Sequence, residues 1–336
     1  MPRTTTRRKM NGASNRRVSR AFVLSGGASL GAVQVGMLEA LYERGIAPDL
    51  IVGSSAGAIN AAFIASREPT VETARELGAV WRGLNRGSVF PLNPLTGLLG
   101  FVGRGTHVVS SGNLRRLIEL HAGFDRLEDA RVPLHVIVTD LLSGRELRLS
   151  TGPAVDAVMA SAAIPGVFAP VSVDGDLLID GGVCDNTPIS HAIELGADEI
   201  YVLPTGFSCD LDAPPRAALN MLLHAMSVML AQRLYVEIEL YRERARVIVL
   251  PPPCPQRVQP IDFSHAGELI DTALAESRTF LDGLEADASP EARTRPAKRL
   301  QPHSDRPRKP SRAQSPSAAS KSRKPRAART PRAASH

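Results

Sequence analysis

Short continuous apolar runs alternate along the chain with segments whose apolar residues recur every three or four positions, the pattern of buried strands separated by helices. Arg20-Ala-Phe-Val-Leu-Ser25 is the first run, and Gly26-Gly27 ends it. From Ser29 to Arg44, the residues Leu30, Val33, Met37, Leu38 and Leu41 mark one helix face, stopped by Gly45. A second strand is expected at Asp49 to Val52, and a second helix in the small-residue run Ala56 to Ser66. Strand, glycine turn and helix, twice over, predict a right-handed parallel β-α-β unit. Both glycine turns then lie at the carboxyl ends of strands, the edge at which open α/β sheets bind ligands.

Further on, helices are expected at Thr70 to Leu84, Gly112 to His121 and Pro153 to Ala163, the last with proline in its first turn. Strands are expected at Leu134 to Thr139 and Glu146 to Ser150, with a hairpin from Ala169 to Asp180 around the favoured turn pair Asp174-Gly175. Asn186-Thr187-Pro188 opens a helix to Leu195; a strand at Glu199 to Leu203 and a long helix from Ala217 to Arg244 follow. A last strand, Val247 to Leu250, and a helix from Phe263 to Leu284 close the domain. Between Ser88 and Thr106, a stretch rich in Gly, Pro and Leu with exposed-looking Phe90, Leu98, Leu99 and Phe101 reads as a flap over an apolar pocket. Met221, Met226 and Met229 read first as core filling and second as the lining of an apolar pocket.

Charge divides the chain into three parts. Seven basic residues and no acid stand in 1–20, and fourteen basic residues with the single acid Asp305 stand in 292–336. The stretch 21–291 keeps 19 basic and 33 acidic residues, so the body is acidic and the formal net charge of +6 belongs to the ends. The expected organisation is a disordered basic tail at 1–19, one folded domain at 20–285, and a disordered Lys/Arg/Pro/Ala/Ser-rich tail at 286–336. Tails of this kind contact polyanions, an anionic membrane surface or nucleic acid, or else only keep the protein in solution. Cys184, Cys209 and Cys254 have neither pairing nor metal spacing, which argues for a reducing compartment and against a disulfide framework. Without a signal-like or membrane-spanning run, the expectation is a cytoplasmic protein, peripheral to membranes at most. No cofactor and no metal is expected, and the oligomeric state is left open.

Candidate chemistry sits on three glycine turns. In Asp49-Leu-Ile-Val-Gly-Ser-Ser-Ala-Gly57 an apolar strand breaks into Gly53-x-Ser55-x-Gly57, the pattern of a nucleophile elbow. A helix-capping serine would give the same local pattern. The turn Gly26-Gly27-Ala28-Ser29-Leu30-Gly31 offers free N–H groups of Gly26, Gly27 and Ala28 to a tetrahedral oxyanion. Asp180, followed by Gly181 and Gly182, is placed to take the Ser55 proton, since a serine hydroxyl is a poor nucleophile until a base removes it. A dinucleotide fingerprint would want glycine where Ala28 stands. Asp140 is the rival base, Asp185 is read as part of a helix cap, and His191, His224 and His265 as solvated or capping residues rather than members of a triad.

Four segments, in order and spacing, resemble the patatin-like phospholipase family. They are Leu24-Ser-Gly-Gly-Ala-Ser-Leu-Gly-Ala-Val-Gln-Val-Gly36, Gly53-Ser-Ser-Ala-Gly57, Ala160-Ser-Ala-Ala-Ile-Pro-Gly-Val-Phe-Ala-Pro170 and Asp180-Gly-Gly182, and the resemblance runs over nearly all of 20–284. It implies a three-layer α/β/α fold with a mainly parallel central sheet, a Ser55/Asp180 dyad without histidine, oxyanion donors at Gly26 and Gly27, and hydrolysis of lipid acyl esters through an acyl-enzyme. Two positions depart from the family pattern: Ala28 replaces a third glycine, and Leu30 replaces an arginine or lysine. Ala28 keeps its N–H, while Leu30 removes a cation and shifts the expected substrate toward a neutral ester or lysolipid. The expectation from a different class is a catalytically silent lipid-binding or scaffold protein held at anionic surfaces by its tails.

Overall fold

The computed structural model describes residues 20–90, 107, 109–206, 218–254, 258 and 260–287. Eight strands form one sheet: β1 Arg20–Leu24, β2 Leu50–Ser54, β3 Leu134–Asp140, β4 Glu146–Leu149, β5 Val171–Val173, β6 Asp176–Asp180, β7 Glu199–Leu203 and β8 Arg246–Val249. The helices are α1 Ala32–Glu43, α2 Ala56–Ala65, α3 Val71–Gly83, α4 Arg86–Val89, α5 Gly112–His121, α6 Ala154–Ser161, α7 Ile189–Glu194, α8 Ala218–Tyr241 and α9 Ala266–Asp287. Strands β3, β2, β1, β7 and β8 run parallel, while β4, β5 and β6 pair antiparallel at one side.

Alternation along the central strands explains the layering, because successive side chains leave opposite faces of a sheet. Phe22, Leu24, Ile51, Val136 and Val138 belong to one apolar core with α1, α2, α3, α5, α6 and α9. Ala21, Val23, Leu50, Val52 and Ile137 belong to a second core with α7 and α8. Both faces are therefore covered, as a parallel sheet requires, and the architecture is the three-layer α/β/α sandwich with a mainly parallel sheet.

The register around β3 places the site. Ile137 pairs with Ser54 of β2 and with Arg148 of β4, whereas Val138 pairs with Asp180 of β6 and with Leu147 of β4. A strand has two edges, and β4 runs continuously along one. β2 and β6 must then share the other, meeting end to end from opposite directions. Their last residues, Ser54 and Asp180, occupy consecutive positions along β3. Gly181 lets the chain turn away at this junction, for a Cβ there would stand 2.2 Å from the carbonyl oxygen of Ile137.

Several expectations change. The one-sided periodicity of α1 is not a boundary between core and solvent, because every residue from Ala32 to Tyr42 is buried. Its other face is closed by α9, and a Cβ on Gly36 would stand 2.3 Å from the Ile270 carbonyl oxygen. Met221, Met226 and Met229 are neither core nor pocket lining; they are 49%, 50% and 71% exposed, because α8 turns Ala231 and Leu234 toward the sheet instead. Phe90 is buried rather than exposed, stacked on Phe168 with ring centroids 5.5 Å apart. Most of the expected flap, including Leu98, Leu99 and Phe101, lies outside the described residues, as do both tails and Cys209. Cys184 is a free thiol, but Cys254 is disulfide-bonded, so the cysteines are not the unpaired set their spacing suggested. Among the described residues no helix is long and apolar enough to cross a membrane.

Candidate active site

At the junction of β2 and β6, the Ser55 hydroxyl donates to Asp180 Oδ2 over 2.6 Å, with both residues buried. Ser55 has φ 53° and ψ −125°, a sparsely populated conformation for a residue with a Cβ. Two features hold it there. Gly57 allows α2 to pass against β1, since a Cβ would stand 2.2 Å from the Leu24 carbonyl oxygen; Gly53 likewise packs against the start of α2. The Ser55 N–H donates to Ser161 Oγ over 2.9 Å, and that hydroxyl donates on to the Ile137 carbonyl over 2.6 Å. Ser161 lies within a segment quoted for the family resemblance, but nothing local in the sequence distinguishes it from its neighbours as the elbow's support.

Asp180 is oriented from both ends. Its Oδ1 accepts the Gly182 N–H at 2.7 Å, its own N–H donates to the Ala163 carbonyl, and its carbonyl accepts the Thr139 hydroxyl. Burial pushes the carboxyl up to about 6, against the lowering pull of the hydrogen bonds from Ser55 and Gly182. The carboxylate is thus more basic than a solvated one while still ionised at neutral pH.

The first glycine turn differs from the expectation at one residue. Gly26 donates its N–H to the Asn186 carbonyl over 3.1 Å, so it is not free for an oxyanion. The carbonyl of Gly26 accepts from Thr205 Oγ1 at 2.5 Å and Asn186 Nδ2 at 3.3 Å, which locks this peptide between two later segments of chain. Neither partner was visible from the sequence, because both are distant along it. Among the described residues the N–H groups of Gly27 and Ala28 have no hydrogen-bond partner. Ala28 takes φ 50°, the left-handed region that costs a side-chain-bearing residue roughly 1–2 kcal/mol. Gly31, behind it, leaves room for Trp81.

A buried polar chain ties this turn to the elbow. Gln34 Nε2 donates to the carbonyls of Ser25 and Leu203, Asn60 Nδ2 donates to Gly31 O and Gln34 Oε1, and Trp81 Nε1 donates to Asn60 Oδ1. All these groups are satisfied, so α1, α2 and α3 are fixed relative to β1 and β7. Beside Ser55 opens a cavity, partly open to solvent, with an almost wholly apolar lining that includes Ala28, Ile59, Phe63, Leu117 and Phe263.

The other candidate residues lie elsewhere. Asp140 accepts N–H groups of Leu142 and Ser143 on an exposed turn, and these bonds hold its carboxyl below the usual range. It shares no hydrogen bond with Ser55, whose hydroxyl is bonded to Asp180. His191 is neither solvated nor capping: it is paired with Glu146, and Arg148 Nη1 lies 3.1 Å from its Nδ1. Asp185, fully buried, accepts the Thr187 N–H in the turn before α7 rather than capping the helix. Glu146, Asp185 and His191 could together offer ligand atoms to a metal, but the Arg233 guanidinium, 3.6 Å and 3.7 Å from the two carboxylates, already stands beside them as a cation. His265 pairs with Glu268 at the surface, and the side chain of His224 lies outside the described residues.

Fold and site define a class: an α/β/α protein with a strained elbow serine bonded to a buried aspartate beside an apolar cavity. The chain belongs to the patatin-like phospholipase family, which it matches over residues 22–193, just over half its length. It is 33% identical over 202 residues to the lysophospholipase NTE1 of Cryptococcus neoformans var. neoformans serotype D, covering 58% of this chain and 12% of that one. It is 32% identical over 194 residues to an uncharacterized NTE family protein of Mycobacterium tuberculosis, covering 56% and 49%. The chain thus spans about half the length of one such relative and a small part of the other. Among solved structures, human GIVD cytosolic phospholipase A2 in complex with methyl gamma-linolenyl fluorophosphonate gives a TM-score of 0.41 at 12% identity, over 80% of this chain and 58% of that one. VipD from Legionella pneumophila gives 0.35 at 16%, over 78% and 67%. Scores this low add nothing to the fold already described.

Proposed function

We propose that the protein is a serine acyl hydrolase of lipid esters, with Ser55 as nucleophile and Asp180 as base. The observation that carries this reading is the buried 2.6 Å hydrogen bond from the Ser55 hydroxyl to Asp180 Oδ2. Asp180 takes the hydroxyl proton as Oγ attacks the ester carbonyl, and the free N–H groups of Gly27 and Ala28 receive the developing oxyanion. When the adduct collapses, the proton passes from Asp180 to the leaving alcohol and an acyl-Ser55 ester remains. Water, deprotonated by the same carboxylate, then releases the fatty acid. Gly26, Gly31, Gly53, Gly57, Gly181 and Gly182 serve as backbone supports in this scheme.

Leu30 is partly buried against the core and brings no charge to the turn, which suits a lysolipid or neutral ester better than a multiply charged head group. The lysophospholipase name of the fungal relative agrees with that choice. A fluorophosphonate probe with mass-spectrometric mapping tests the reading. Labelling at Ser55, absent from Ser55→Ala, and release of fatty acid from a short-chain ester are the expected results. An unlabelled Ser55 would favour the silent lipid-binding alternative, and hydrolysis that survives Ser55→Ala would end the proposal.

A further inference from the structure

The cavity runs beside helices whose geometry gives it a length. Ser55 at the cap of α2 and then Ala56, Ile59, Asn60 and Phe63 along it line the cavity, pairs four apart that end at Phe63, and on α5 the lining positions are Leu114, Leu117 and His121, spaced by three and four. Such spacings are single faces of helices, so the cavity follows α2 away from Ser55. Eight residues of helix advance about 12 Å. Phe63 and His121 are the last lining residues of these two faces, and together they form a wall there. Phe63 and His121 lie with ring centroids 6.0 Å apart, and the Arg67 guanidinium sits 3.7 Å above the Phe63 ring. Arg67 Nη1 also donates to the carbonyls of Phe63 and His121, at 2.8 Å and 3.1 Å, which ties the end of α2 to the end of α5.

Resting on the ester-hydrolase reading, we propose that this wall measures the acyl chain and makes the protein selective for medium-chain acyl groups, of about eight to ten carbons. The Phe63 side chain leans back toward the helix start, which trims the usable length to about 10 Å. An extended chain advances about 1.2 Å per bond, the reach implied by backbone dimensions, so a chain of this length ends against Phe63 and His121. Longer chains must bend or leave their ends in water.

Binding tests the proposal without catalysis, because Trp81 is the only tryptophan of the chain and lines the cavity. Trp81 emission is followed in Ser55→Ala protein while saturated fatty acids from hexanoate to palmitate are titrated in below their micellar concentrations. Affinity is expected to tighten by about fourfold per added methylene, the usual gain for burying one, up to eight to ten carbons and then to stop rising. His121→Ala should move that break at least two carbons longer, and Ile59→Phe should move it shorter. In the unmodified protein, kcat/KM for 4-nitrophenyl esters should peak at the same length. Affinity that climbs unbroken to palmitate, a break that ignores both variants, or emission unmoved by every acid would overturn the proposal. Fatty acids that show the break while no ester is cleaved would instead overturn the hydrolase reading and leave the measured length standing.

Discussion

Two buried aspartates five residues apart make an instructive pair. Burial pushes Asp180 up to about 6 and Asp185 up to about 7, so the shift alone would rank Asp185 first. Their surroundings differ in kind. Asp180 holds a hydroxyl and a backbone N–H. Asp185 also accepts a backbone N–H, from Thr187, but no hydroxyl; around it stand charges, of which Glu237 and Glu146 raise its carboxyl while Arg233 pulls it down. Among the described residues its Oδ2 has no hydrogen-bond partner. A raised carboxyl therefore reports burial, and the proton it can accept is what separates a proposed base from a structural charge.

Substitution by asparagine should separate the two most sharply. Asp180→Asn removes the proposed base and should lower kcat for a short ester by about 10³-fold or more. It also removes a buried charge. A raised native value means that stability is present in full below the unfolded value, near 4, and is lost as pH rises through about 6. At pH 8 the variant should thus be more stable, by up to roughly 3 kcal/mol, read as a Tm several degrees higher. Asp185→Asn should leave kcat within a few-fold; a collapse as deep as that of Asp180→Asn would erase the distinction.

The pH profile gives the next largest effect. With Asp180 as base, kcat/KM should fall about tenfold per unit below a limb near pH 6. That limb should be unmoved in Asp185→Asn, and a displaced limb would assign it to the wrong aspartate. The smallest effect concerns the proposed oxyanion turn. Ala28→Gly relieves a φ of 50° and should stabilise the protein by about 1 kcal/mol, less the entropy glycine adds to the unfolded chain. Chemical denaturation would register it, and a destabilised variant would show that the Ala28 methyl packs usefully in the cavity.

The early β-α-β unit, the elbow and the Asp180 turn were legible because continuous apolar strands and paired glycines are local signals. The supports were not. Ser161, Asn186 and Thr205 act across 106, 160 and 179 residues of sequence, and only the folded register brings them in. For the same reason the sequence could not reveal that Gly26 has its N–H occupied. The α1 pattern misled because its second face is made of small residues such as Ala32, Gly36 and Ala40, which read as neutral yet admit α9 closely. Methionines signal adaptable packing without saying which side of a helix is covered, and α8 leaves its own in the open.

Because β2 and β6 abut on one edge of β3, the separation of Ser55 from Asp180 is set by which rungs of a single strand they occupy. Their separation of 125 positions along the sequence does not enter that setting. Turns such as Leu141–Arg145 or Asp174–Gly175 could gain or lose residues over evolutionary time without altering it, whereas one residue inserted into β3 would part the pair at once. A short shared strand thus gives the molecule a place where function is brittle, surrounded by a periphery where length is negotiable.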